Sequence, residues 1–475
     1  MLFNSLEFAL FLPVVFALYW FVLGRSLRLQ NLFLVGASYF FYGWWDPRFL
    51  LLILISSLTD YSVGRALGRA ESPRARKALL GVSLLCNLGL LGFFKYYNFF
   101  LGSAVELLQN LGLSPNPTSL KVILPVGISF YTFQSLTYTI GLYRREMRPT
   151  MDVVQYCAFV SFFPQLVAGP IERAQALLPQ FAQRRTFDYR KGVAGARRIL
   201  WGLFKKVVVA DTCATHVDAI FSNYDSLAGS TLLLGIVYFA FQIYGDFSGY
   251  SDVAIGVGRL FGFDLGENFT LPYLSRDIRE FWTRWHISLS TWFRDYVYFP
   301  LGGGRCSNVR RVRNILLTFT LSGLWHGANW TYVSWGLVNG LCYVPVILLS
   351  NRCQRSAIVA QGRMLPSPLE ALQMAGTFSL VLIGWVFFRA ASLHDAVGYL
   401  HGLFSPTLFS PPARRASALV FILMLAAVEW FQREKKDPLD MGEFPSVVRW
   451  LVYLALTVLI LACYSGERVF IYFQF

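Results

Sequence analysis

Apolar stretches of about 20 residues recur from one end of the chain to the other, each long enough to cross a hydrocarbon core roughly 30 Å thick. The predicted spans are Leu6–Leu23, Leu29–Trp45, Phe49–Leu67, Ala78–Phe99, Leu120–Leu142, Ile199–Asp211, Thr231–Phe261, Ile315–Ala328, Tyr332–Leu349, Ala371–Phe388, Ala416–Phe431 and Val447–Cys463. The pattern predicts an all-α polytopic membrane protein of about twelve transmembrane helices, with residues 1–475 forming a single transmembrane domain. Leu6–Leu23 is read as a retained span, because Met1–Glu7 lacks the basic leader of a signal peptide. Val153–Val167 is short and ends in Pro-Gln-Leu-Val-Ala-Gly-Pro, which predicts a re-entrant or broken helix, tolerated at membrane depth only inside protein or beside a cavity.

Charge along the chain orients the bundle. Arg25 and Arg28, then Arg65, Arg69, Arg74, Arg76 and Lys77, then Arg144, Arg145 and Arg148 follow alternate spans. Cytoplasmic loops collect Lys and Arg, so these loops are expected inside and Asp211–Gly229 outside. Two long basic regions, Glu172–Lys206 and Ser275–Arg313, are too polar to cross but rich in Phe, Trp, Leu and Tyr. That mixture suits amphipathic helices at the inner interface, with arginines reaching the lipid headgroups.

Composition agrees with a membrane protein: 55% of the 475 residues are hydrophobic and 15% are charged. The net charge of +15 follows first from the basic loops and not from nucleic acid, although it leaves arginines for a phosphorylated ligand. Seven cysteines form no CxxC pair, and five histidines are scattered, so no metal site is expected. There is no Walker loop, HExxH or GxSxG.

Polar residues inside apolar segments are costly and mark candidate chemistry. His326 lies in Ser322-Gly-Leu-Trp-His-Gly-Ala-Asn-Trp330, between glycines that permit close approach. An apolar setting keeps an imidazole neutral, and a neutral imidazole can accept a proton as a general base; a structural histidine bonded across helices is the alternative. A second cluster, Arg279-Glu-Phe-Trp-Thr-Arg-Trp-His286 with Arg294-Asp295, is basic and aromatic together. It suits an anionic, nucleotide-bearing ligand, with Arg forks on phosphate and Trp stacked on a base, or else an interfacial Trp/Arg belt. The third, Tyr244-Gly-Asp-Phe-Ser-Gly-Tyr-Ser-Asp252, places Asp246 and Asp252 in an apolar segment, where they need partners. Arginines of the second cluster or Ser and Tyr hydroxyls are the expected ones, in a packing network or a proton path.

Together these motifs, with Pro125-Val-Gly-Ile-Ser-Phe-Tyr-Thr-Phe-Gln134 and Phe162-Phe-Pro-Gln-Leu-Val-Ala-Gly-Pro-Ile171, resemble the membrane-bound O-acyltransferase (MBOAT) family along most of the chain, and within it the bacterial AlgI-type branch. The resemblance implies a ring of transmembrane helices, with re-entrant and amphipathic cytoplasmic helices, around a central tunnel. It implies catalysis by His326 with His286 as the second polar group. It also implies an inner-membrane enzyme that moves an acetyl group from cytoplasmic acetyl-CoA to an exopolysaccharide, alginate first, by way of a periplasmic acetyltransferase or acceptor protein. Donor phosphates are then expected near Arg276, Arg279, Arg284, Arg294 and Arg305, with Trp282 and Trp285 beside them, and no permanently bound cofactor or metal. The acidic residue usual in that branch before Tyr-Arg is absent from Thr139-Ile-Gly-Leu-Tyr-Arg144. Cellulose and peptidoglycan are alternative acceptors, and a transporter or a non-catalytic scaffold of an export complex is the rival class.

Overall fold

The computed structural model describes residues 1–115, 120, 122–349, 358–412, 417–435, 437–466 and 468–471. These residues are helical throughout, without strands, and fall into two compact units: Met1–Gly195 with Val257–Gly266, and Ala196–Gly256 with Glu267–Phe475. The first unit holds α1 (Leu6–Ala17), α2 (Leu27–Gly43), α3 (Leu50–Arg69), α4 (Pro73–Leu91), α5 (Tyr97–Asn110), α6 (Ile128–Tyr143), α7 (Val153–Ser161), α8 (Phe163–Leu166) and α9 (Ala174–Ala182). α10 (Tyr189–Leu203) carries the chain into the second unit, which continues with α11 (Asp211–Phe221), α12 (Gly229–Leu260), α13 (Ile278–Arg284), α14 (Ile287–Phe293), α15 (Asn308–His326), α16 (Trp330–Leu349), α17 (Pro368–Arg389), α18 (Leu393–Leu403), α19 (Ala418–Phe431) and α20 (Ser446–Cys463).

Among the described residues, six helices are long and apolar enough to cross a membrane, and Leu6–Val22 and Ala418–Phe431 are shorter apolar helices. Residue 121 of the expected span Leu120–Leu142 and Ala416 of Ala416–Phe431 lie outside the described residues. The difference from about twelve spans has a physical reason, visible in α6. It has only 16 residues and buries nearly all of them, including Ser129, Thr132, Gln134, Ser135, Thr137 and Thr139. A helix surrounded by other helices need not be apolar on any face, whereas lipid-facing helices must be. α2 likewise buries Gln30, Asn31 and Ser38. In the same unit Asp60 accepts hydrogen bonds from Ser83 (2.6 Å) and Asn87 (2.8 Å), tying α3 to α4.

The break expected in Val153–Val167 is present: α7 ends at Ser161, Phe162 leaves helical geometry, and α8 is a single turn, all buried. The region Ser275–Arg313 departs from its expected interfacial position. Phe281, Trp285, His286, Leu289, Trp292 and Phe293 are buried, so α13 and α14 belong to the core of the second unit. Trp285 is 1% exposed and packs on Trp385, Phe281 and Phe269, an aromatic cluster that draws the segment inward.

Candidate active site

Two elements of the second unit bring the two histidines together. His326 is the last residue of α15, which folds back through Gly327–Asn329 into α16. The two helices cross at Gly323 and Gly336. A Cβ on Gly323 would collide with the carbonyl of Tyr332, and one on Gly336 with the carbonyl of Phe319. Small residues at such a crossing let the backbones touch. Gly327 is covered by the Tyr332 ring. The glycines around His326 therefore set helix packing.

His286 occupies the elbow between two seven-residue helices, α13 and α14, in left-handed backbone geometry (φ 43°, ψ 55°). That conformation is uncommon for a residue other than glycine. It is held by the strand-like passage before α13: Thr270 N–H donates to Arg284 O (3.0 Å) and Ile287 N–H to Asn268 O (2.9 Å). The Asn268 side chain adds contacts to His286 Nδ1 (3.1 Å), Ser288 N (3.3 Å) and Ser288 Oγ (2.9 Å).

The two imidazoles lie with ring centroids 6.3 Å apart and planes at 63°. His286 is 1% and His326 3% exposed. Aromatic rings wall the space: Phe247, Phe269 and Trp325 against His286, and Trp325, Trp335 and Phe388 against His326. Burial pushes the His286 imidazole down to about 3, so the ring is neutral at ordinary pH. Two hydrogen bonds of about 2.8 Å through one oxygen span roughly 5.5 Å, so rings at this separation can address one small substrate group.

The candidate donor-binding residues divide. Arg279 and Arg294 line a largely apolar cleft of about 400 Å³ with Trp282, Ser290, Tyr298, Phe319, Ser322 and Tyr343. Ser290 stands one turn after His286 and Ser322 one turn before His326, so the cleft lies a helical turn from both rings. Arg279 donates to Val346 O (3.1 Å), and Arg294 reaches the Asp295 carboxylate (2.8 Å). Arg284 lines another cavity of about 500 Å³ and is bound to Glu280 (2.6 Å), which also holds Arg276 (3.0 Å). Trp285 is enclosed by aromatic rings, and Arg305 is exposed in the glycine-rich turn after α14.

Asp246 and Asp252 have partners other than those expected from the second cluster. Asp252 pairs with Arg198 (2.8 Å) and Lys205 (2.7 Å), and Asp246 with Lys206 (2.6 Å) and the Ile471 N–H (2.7 Å). The lysines come from a π-helical stretch, Phe204–Ala210, continuing α10. Arg198, Lys205 and Lys206 went unremarked in the sequence, although two adjacent lysines within a predicted span are the signal for buried carboxylate partners. Asn268 carried no such signal. No group of three or more potential metal ligands occurs among the described residues.

Residues 48–386 match the family model "MBOAT, membrane-bound O-acyltransferase family". The protein named "Probable alginate O-acetylase AlgI" of Pseudomonas aeruginosa is 42% identical over 407 residues, covering 85% of this chain and 75% of the relative. Its namesake from Azotobacter vinelandii is 40% identical over 407 residues, covering 85% and 78%. A peptidoglycan O-acetyltransferase of Helicobacter pylori is 36% identical over 433 residues, covering 85% and 80%. The chain belongs to the membrane-bound O-acyltransferase family. It is a multi-pass membrane acyltransferase.

Proposed function

We propose that this protein is an inner-membrane O-acetyltransferase that takes an acetyl group from cytoplasmic acetyl-CoA and passes it across the membrane for O-acetylation of an exopolysaccharide. Its helices would form a ring around a tunnel joining the donor side to the outer side. The observation that carries the reading is the convergence of His286 and His326, from separate segments, in one buried aromatic-walled space. Alginate is the favoured acceptor, from the names of the relatives near 40% identity; peptidoglycan is the second, from the Helicobacter relative. A periplasmic acceptor protein would receive the group on the outer side.

His326 is the general base. It takes the proton of an acceptor hydroxyl as that oxygen attacks the thioester carbonyl; the carbon–sulfur bond then breaks, and CoA leaves as the thiol with the proton. The products are an acetyl ester and free CoA, so atoms and protons balance. His286 supplies the second polar group, to orient the acceptor or to stabilise the oxyanion. The apolar cleft edged by Arg279 and Arg294 suits a donor with phosphate at one end and a thin arm reaching toward the histidines.

The test is transfer of radiolabelled acetyl from acetyl-CoA to alginate oligomers, peptidoglycan fragments or a periplasmic extract, by membranes containing the protein. Label in the alginate fraction is expected. Label in none of them would overturn the reading, and label in peptidoglycan alone would replace the acceptor.

A further inference from the structure

We propose that Asn268 is a positioning residue that holds His286 with its proton on Nδ1, so that the ring works through an unprotonated Nε2. The proposal rests on the acyl-transfer reading of His286 and decides between its two roles.

The hydrogen-bond sense around one buried amide carries it. Asn268 is fully buried. One end of its amide faces the backbone N–H of Ser288 at 3.3 Å and the Ser288 hydroxyl at 2.9 Å. A backbone N–H can only donate, so the amide atom facing it is the oxygen. The amide nitrogen points the other way and donates to Ser251 Oγ at 3.2 Å. The same oxygen lies 3.1 Å from His286 Nδ1. Two acceptors do not bond, so Nδ1 must carry a proton. In a neutral imidazole the second nitrogen is then a bare acceptor.

The backbone of Asn268 makes this arrangement rigid. Its carbonyl accepts the Ile287 N–H, next to His286, so main chain and side chain of one residue grip both sides of the left-handed elbow. Burial keeps the ring neutral. Among the described rings against His286 (Phe247, Phe269, Trp325 and His326), His326 is the one with an ionisable side chain; the polar neighbours Asn268 and Ser288 have none.

The chemical consequence is selective. A neutral ring with a bare Nε2 can accept a hydrogen bond from an acceptor hydroxyl. It cannot donate one to an oxyanion. The proton of the attacking hydroxyl goes to His326, so His286 orients the acceptor by accepting from a second hydroxyl beside the attacking one, and oxyanion stabilisation falls to other donors.

The experiment is nitrogen NMR of the full chain in lipid nanodiscs, with histidine imidazoles labelled and the His286 signals identified by subtraction of a His286→Ala sample. The expected spectrum has a protonated Nδ1 and an unprotonated Nε2. Asn268→Leu removes the acceptor; the proton should then redistribute toward Nε2, and kcat for CoA release should fall by on the order of 100-fold while KM changes little. Asn268→Asp keeps the shape and the acceptor. It should preserve the Nδ1–H signature and move the acid limb of kcat/KM to higher pH, because a carboxylate favours imidazolium. Should Asn268→Leu fail to fold, the Asn268→Asp pH profile decides, and an unmoved limb overturns the proposal. A protonated Nε2 in the parent also overturns it. The expected NMR signature without CoA release by the parent would leave the positioning role standing and sink the acyl-transfer reading instead.

Discussion

His286 and His326 stand with ring centroids 6.3 Å apart, one on an elbow between two short helices and the other at the end of a helix locked by a glycine crossing. Each is fixed by a different device, so the distance between them depends on both. Residues acting as one unit give non-additive losses. His286→Ala and His326→Ala should each reduce kcat by at least about 100-fold, and the double variant should lose little more than the worse single one. Steady-state rates at matched protein levels check this; independent, multiplicative losses would show that the rings do not share a substrate.

The α15–α16 crossing should be intolerant of bulk. Gly323→Val places side-chain atoms where the Tyr332 carbonyl already lies. Overpacking of this kind costs about 1–3 kcal/mol. The variant should unfold at lower temperature in detergent, and acetyl transfer should fall further than the protein level, because the end of α15 moves with the crossing. Gly376, with open space around it, is the control: Gly376→Ala should change neither measurement.

The Asp252 pair with Arg198 and Lys205 is buried on both sides. Removing Asp252 leaves Arg198 with Glu267 and Lys205 with Glu429 at 3.8 Å but takes away the anion the two cations share, a loss on the order of the about 3–5 kcal/mol for breaking a buried pair. Asp252→Ala should therefore lower the unfolding temperature sharply, measured by tryptophan fluorescence in detergent. Retention of the parent's stability would mean that water or lipid already screens these charges.

Glu172 gives a pH signature within the first unit. Burial pushes its carboxyl up to about 7, against the hydrogen bond it accepts from the Gly266 N–H. A folded-state value above the unfolded one means that the folded protein binds the extra proton. The associated stability is complete below about 4.3, the unfolded carboxyl range, and is lost as pH rises through 7. The loss of unfolding temperature between pH 5 and pH 8 should therefore shrink by a few degrees in Glu172→Gln, whose amide oxygen can still accept from Gly266. An identical pH dependence in both proteins would contradict this.

Donor binding at the cleft would separate the arginines. Arg279→Ala or Arg294→Ala should raise KM for acetyl-CoA roughly tenfold with little change in kcat, as expected for loss of one charged hydrogen bond. Arg305→Ala, outside the cleft, should leave KM unchanged.

Much of this was legible from the chain alone, and the failures have a common origin. Apolar runs such as Phe49–Leu67 and Val447–Cys463 coincide with helices long and apolar enough to cross a membrane. α2 and α6 overlap the expected spans Leu29–Trp45 and Leu120–Leu142 but carry polar residues that they bury, so neither reaches the length and apolarity of a span. The histidines were visible as polar residues in costly or aromatic settings. Their separation was not, since it depends on the elbow at His286 and the Gly323–Gly336 crossing. Asn268 lies in the connection between α12 and α13, residues 261–277, which has no motif to single it out; only the reversal of the chain at α13 carries it back against His286. Arginines of the second cluster or Ser and Tyr hydroxyls are the partners the sequence suggests for Asp246 and Asp252, whereas Lys205 and Lys206 stand within an apolar run and need carboxylates of their own.

The most direct test of the central claim is CoA release from acetyl-CoA by purified protein in lipid nanodiscs, with an acceptor glycan or periplasmic extract present, for the parent and for His326→Ala at equal folded concentration. The parent should release CoA in step with acetyl ester formed, and His326→Ala should release none above the uncatalysed rate. Equal release by the two proteins would contradict a catalytic His326.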